Sequence, residues 1–101
     1  MRLTEYQRIA IREAATEAFG AGAKIWLFGS RVNDTERGGD IDLLIETDQT
    51  DVTEIARAEI AFLGKVQGKL GEQKIDLLLD YPSRRRRPLI FSIAREQGLP
   101  L

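Results

Sequence analysis

The sequence predicts an α/β chain of the mixed (α+β) kind, a three-stranded mixed sheet flanked by helices in the order α-β-(α)-β-α-β-α. Three observations carry that expectation. Two segments, at about 5–19 and from Asp51 to Gly71, repeat apolar residues at helical spacing, and each opens on a capping signature. Three short segments, 24–28, 40–46 and 74–81, are apolar or alternating over strand length. With 101 residues, 43% of them hydrophobic and 31% charged, the chain is sized and composed for a single globular domain, 1–101, with one core.

In the first helix Thr4-Glu5-Tyr6-Gln7 fits a capping box, and Tyr6, Ile9, Ala10, Ala14 and Phe19 recur on its apolar stripe until Gly20-Ala21-Gly22 stops it. Lys24 to Phe28 is a short strand in which Trp26 reads as core rather than as a base-stacking platform. Asp40 to Glu46 is the next strand. Its Ile41, Leu43 and Ile45 share one face, while Asp40, Asp42, Leu44 and Glu46 share the other. Asp51-Val52-Thr53-Glu54 offers a second capping box, and Ile55, Ala58, Ile60, Ala61, Phe62, Leu63, Val66 and Leu70 carry the helix to Gly71. That helix is long enough to be a crossover, so the strand at 74–81 can lie parallel to 40–46 and beside it. Its Asp76 and Leu78 face one way, and Ile75, Leu77 and Leu79 the other. A basic loop from Pro82 to Pro88 leads to a short last helix at Leu89 to Gln97, ended by Gly98 and Pro100.

Composition narrows the chemistry. The absence of cysteine removes disulfides, thiol nucleophiles and thiolate metal sites, and the absence of histidine removes the usual triads and zinc sites. What remains is carboxylates, hydroxyls, Lys, Arg, Tyr, backbone dipoles and hard, oxygen-loving metals, a set suited to magnesium-dependent phosphoryl or nucleotidyl transfer. A net charge of −1 supplies no global basic field, so nucleic acid is not expected as a direct ligand. No apolar run approaches the ~20 residues of a membrane span and the N-terminus does not read as a signal peptide, so the expected location is the cytoplasm.

Asp40 and Asp42 point to the same face, and with neighbouring strands Asp76 joins them there. Like charges at about 4 Å repel by roughly 1 kcal/mol in water and about 4 kcal/mol at an effective dielectric of 20. Such a cluster calls for cations, and carboxylates of this kind can bridge two magnesium ions about 3.5–4 Å apart, the clamp for in-line displacement at phosphorus. The third carboxylate can complete a metal shell or take a proton from an acceptor hydroxyl. The turn Gly29-Ser30 fits the same chemistry, because glycine admits a phosphate to the backbone and the amides and hydroxyl can cradle it. Arg31 would begin a helical turn and pair with phosphate oxygens. Taken alone, a Gly-Ser turn or a strand-edge aspartate is equally an ordinary solvated feature. No dinucleotide-binding or Walker A pattern is present.

Gly29-Ser30, a nine-residue gap, Asp40-Ile41-Asp42 and a later strand carrying Asp76 resemble the minimal nucleotidyltransferase domain of the DNA polymerase β superfamily, and more closely its small stand-alone MNT (MntA-like) members encoded beside HEPN-domain partners. The resemblance implies that Gly29 and Ser30 hold a triphosphate. It implies that Asp40 and Asp42 ligate magnesium, and that Asp76 ligates the catalytic metal or activates the acceptor. It implies ATP as donor of an adenylyl group, pyrophosphate as product, and an antitoxin role in which a tyrosine of the HEPN toxin is the acceptor. Larger relatives carry a helical domain that grips the acceptor; at this length the acceptor surface is expected from another chain or another copy, in a homo- or hetero-oligomer. Two other readings stand beside this one: an idle module that neutralises its partner by binding, and a transferase acting on RNA or a small molecule. Arg84-Arg85-Arg86-Arg87 reads as a solvated loop or as a docking patch for an acidic partner or the nucleotide's phosphates, and Arg37 is a further candidate phosphate contact.

Overall fold

The structure is a computed structural model and describes residues 3–29 and 40–101. The expectations for Ser30, Arg31 and Arg37, and for a helical turn after Gly29, fall outside those residues. The described elements run α1 (Glu5–Phe19), β1 (Lys24–Phe28), β2 (Ile41–Glu46), α2 (Val52–Leu70), β3 (Ile75–Asp80), α3 (Leu89–Gln97) and β4 (Leu99–Pro100).

Local chemistry sets the helix starts. Thr4 Oγ1 accepts from the Gln7 amide at 3.0 Å while Gln7 Oε1 accepts from the Thr4 amide at 2.9 Å, the reciprocal box that the sequence predicts. At α2 only half of the expected box forms. Asp51 Oδ1 accepts from the amides of Thr53 and Glu54 at 2.9 and 3.3 Å, but the Asp51 amide donates to Gln49 Oε1 instead. Gln49 sits two residues upstream and reaches that amide from the loop, which leaves the Glu54 side chain free to pair with Arg57 at 3.5 Å.

The sheet has order β3-β2-β1-β4, with β1–β2 antiparallel and β2–β3 parallel, the parallel pair as expected for strands joined by a helical crossover. The fourth strand corrects the expected count of three. Leu99–Pro100 pairs antiparallel with β1, and the Leu101 amide donates to Ile25 O at 2.8 Å. Two residues, one of them proline, are too short for any periodicity. Proline is tolerated there because Leu99 and Leu101 face β1, so position 100 faces outward, where no donor is needed. Gly98 makes the reversal out of α3 feasible: a Cβ there would lie 2.2 Å from Ala94 O and 2.9 Å from Leu27 O.

The two sheet faces are unlike. Ile25, Leu27, Ile41, Leu43 and Ile45, with Ile75, Leu77 and Leu79 behind them, pack on α1 and α2 through Ile11, Ala14, Phe19, Phe62 and Val66. The opposite face is smaller: Leu44 with Trp26, Phe28 and Leu78 against Phe91 and Ala94 of α3. Trp26 therefore lies in a core, half-buried. Some residues assigned to helical stripes turn out exposed, namely Tyr6 (62%), Ile9 (42%) and Ile60 (74%), because α1 and α2 each rest on the sheet with only part of their apolar arc.

Candidate active site

The α3-covered face carries all the acidic residues of interest. Phe28 stands opposite Asp42, and Asp42 opposite Asp76, so the end of β1 and the starts of β2 and β3 meet at one edge of the small core. Asp40 lies two residues before Asp42 and therefore on the same side. The juxtaposition of Asp42 and Asp76, expected from strand parity and a crossover-length helix, is what the register delivers.

The electrostatics show the strain of that arrangement. Burial pushes the Asp42 carboxyl above the ordinary carboxylate range; repulsion from Asp76, a hydrogen bond shared with it, and the charge of Asp40 push it the same way, against a smaller pull from Lys74. Lys74 Nζ is 3.4 Å from Asp40 Oδ2, with the lysine side chain 72% exposed. An exposed pair of that kind contributes only about 0–1 kcal/mol, so Asp40 is readily exchanged from lysine to another cation. Among the described residues no three acidic side chains are drawn together into a ready-made ion cage. Asp42 and Asp76 form the tight pair, and Asp40 is turned to Lys74.

Gly29 has a role that the sequence reading did not assign. It follows β1 directly with φ +75, and a Cβ would fall 2.2 Å from Asp42 Oδ2 and 3.0 Å from its Cγ. Only glycine both adopts that backbone and leaves the Asp42 carboxylate its place. The Gly29 main chain and the Asp42 side chain are thus one construction, a backbone turn set against a charge that burial and its neighbours disfavour.

A hard divalent cation fits this set. The donors are carboxylate oxygens, they repel one another, and no arginine approaches Asp42 among the described residues. The four arginines at 84–87 belong elsewhere. They follow the far end of β3, where Arg87 Nε donates to Asp80 Oδ1 at 2.7 Å and its Nη2 to Tyr81 O at 3.0 Å. Arg84 lies 4.6 Å over the Phe91 ring and donates to Leu79 O and Arg86 O. The solvated-loop reading is therefore half right: Arg84 and Arg87 brace the fold, and Arg85 and Arg86 are exposed.

The nucleotidyltransferase domain family matches residues 8–98, which spans the glycine turn, all three aspartates and helix α3. The chain is a nucleotidyltransferase domain. No curated protein matches it. For a nucleotidyltransferase the division of the sheet makes sense: one face is given to the large core, while the other holds a small core with charge at its rim. Sequence reasoning missed Lys74, although parity with Asp76 places it on the same face, and missed the Asp80–Arg87–Arg95 cluster, whose partners lie 7 and 15 residues apart.

Proposed function

We propose that this nucleotidyltransferase transfers an adenylyl group from ATP to a hydroxyl, and that the acceptor is a tyrosine of a HEPN-domain toxin which the modification silences, making the chain the antitoxin. The observation that carries the chemistry is the Asp42–Asp76 register, with a carboxyl that burial and its neighbours hold above its ordinary range. Asp42 and Asp76, with Asp40, are the residues to hold magnesium, two ions in the fullest case. Bound there, the metal supplies positive charge to the phosphates and to the developing transition state. Gly29 keeps the space beside Asp42 open, and with Ser30 and Arg31 is assigned to the triphosphate.

Asp76 is the exposed member of the trio and sits on the outermost strand, so it is the one an acceptor can reach. It takes the hydroxyl proton as the acceptor oxygen bonds to the α-phosphorus. The bond from that phosphorus to the oxygen bridging towards the β-phosphorus breaks, and pyrophosphate leaves with the electron pair.

The test is incubation with ATP labelled at the α-phosphate, magnesium and the HEPN protein, with Asp40→Asn as control. Label on a tyrosine of the partner that disappears in the variant supports the proposal. Label on RNA or on an aminoglycoside would replace the acceptor, and tight complex formation without label would replace the enzyme with a binding module.

A further inference from the structure

β3 is an edge strand of the sheet, and among the described residues no strand pairs with its outer side. The hydrogen bonds from Ile41 N to Lys74 O and from Thr47 N to Asp80 O show which way the strand alternates. Even-numbered residues of β3 turn their amides and carbonyls to β2, so Ile75, Leu77 and Leu79 turn theirs outward. Among the described residues only Leu79 O has a partner on that side, Arg84 Nη1 at 3.4 Å. Natural edges are commonly guarded by proline, lysine or a bulge. Here the strand reads Ile-Asp-Leu-Leu-Leu-Asp with none of them.

Beside that edge runs a groove of about 290 Å³ floored by Leu77, Leu78 and Leu79, walled by Val52 and Ala56 of α2 and closed by Phe91. Val52 is 60% exposed on the wall of this groove, which Glu59, Tyr81 and Arg84 line as well. Beyond the C-terminal end of β3 stand Arg85 and Arg86, both exposed and in no ion pair among the described residues. At the other end of the same strand stands Asp76.

We propose that the acceptor docks as an added antiparallel strand on the β3 edge, with its hydroxyl-bearing residue directly across from Asp76. The reading rests on the transferase function above and says how its acceptor is recognised: an extended segment, acidic at its N-terminal end where it meets Arg85 and Arg86, apolar at the alternate positions that enter the groove. Because Asp76 turns its own amide and carbonyl inward, the residue opposite it is of the non-hydrogen-bonded kind. Such pairs bring Cα atoms to about 4.5 Å and side chains closest together. The neighbouring positions supply main-chain hydrogen bonds to Leu77 and Ile75, so affinity comes from backbone and specificity from register.

The probe is a short synthetic peptide with glutamates at its N-terminus, alternating valine and threonine, and a tyrosine next to its C-terminus. Its binding is followed by fluorescence anisotropy and by amide hydrogen exchange of the protein. Bound peptide should slow exchange at Ile75, Leu77 and Leu79 and leave Asp76, Leu78 and Asp80 unchanged. N-methylation of the peptide residues facing the edge should weaken binding by about tenfold or more, while N-methylation of the alternate residues should not. Arg85→Glu with Arg86→Glu, both exposed, should weaken it too, and a lysine-ended peptide should recover the loss. Absence of binding, equal effects of the two methylation patterns, or protection elsewhere would overturn the docking mode. The transferase reading is scored separately: a peptide that binds with the edge signature but takes no label from ATP and magnesium upholds the docking and counts against the chemistry, whereas nucleotide binding without edge protection does the reverse.

Discussion

The parallel ladder between β2 and β3 carries an acidic pair at each end, Asp42 with Asp76 and Glu46 with Asp80. At the Glu46 end the fold supplies its own cations. Asp80 is buried with a side chain 6% exposed, and it accepts from Arg87 Nε and from Arg95 Nη2. Arg95 also stands 3.9 Å from Glu46 and 5.5 Å over the Trp26 ring. Burial alone would raise the Asp80 carboxyl, yet the hydrogen bonds and charges of Arg95 and Arg87 outweigh it and hold it below the ordinary range. At the Asp42 end the shift runs the other way, with only an exposed lysine nearby. The two ends share strands and face but differ in electrostatics: what the chain neutralises for itself is structure, and what it leaves without a buried cationic partner is prepared for a cation from solution.

The largest effect should fall on transfer. Asp42→Asn is expected to lower the rate by about a thousandfold or more, measured as labelled product per time. Next comes the braced end, where Arg95→Ala leaves Asp80 buried with Arg87 alone and should cost roughly 1–3 kcal/mol in urea unfolding. If Arg95→Ala were silent in stability while Asp42→Asn lowered it, the contrast between the ends would be reversed. Gly29→Ala should cost about 1–3 kcal/mol through its positive φ and its contact with Asp42, with loss of activity beyond what stability explains.

The pH dependence sharpens the same contrast, and its sign differs at the two ends. Asp42, raised above the ordinary 3.8, contributes stability that is full below that value and lost as pH rises through its folded pKa. Asp80, lowered from 3.8, contributes stability that is present above that value and lost as pH falls through its folded pKa. Unfolding of Asp42→Asn should therefore diverge from the parent as pH rises from acid towards neutral, and that of Asp80→Asn should converge on it as pH falls below the ordinary range. The smallest effect belongs to a helix cap outside the acidic pairs: Asp51→Ala removes the α2 cap and should cost about 1 kcal/mol with transfer unchanged.

Much of this was legible in the residues. Helix α1 and strand β1 have the predicted bounds, because a capping box, a stopping glycine and a five-residue apolar run are local signals. The facing of Asp42 and Asp76 was legible through strand parity plus a crossover of the right length. What escaped depends on distant partners. β4 is two residues held by β1, the Asp51 amide prefers Gln49 to Glu54, and Asp80 is explained only by arginines brought back from the loop and from α3. Gly29 was read as a phosphate turn, and the structure adds that Asp42 itself requires a residue without a Cβ there. No helix of the described residues is long and apolar enough to cross a membrane, in line with the hydropathy of the sequence.

The most direct test is thermal unfolding of the parent and Asp42→Asn, each with and without magnesium and ATP. Relief of repulsion by up to about 1 kcal/mol should make the unliganded variant melt higher than the parent, where each kcal/mol is worth roughly 4–8 °C in a domain of this size. Ligand at a hundredfold excess over its dissociation constant should stabilise the parent by about 2.7 kcal/mol and leave the variant unmoved. A variant that melts lower than the parent without ligand, or that keeps the full shift with it, would contradict the claim that Asp42 is kept for a cation from solution.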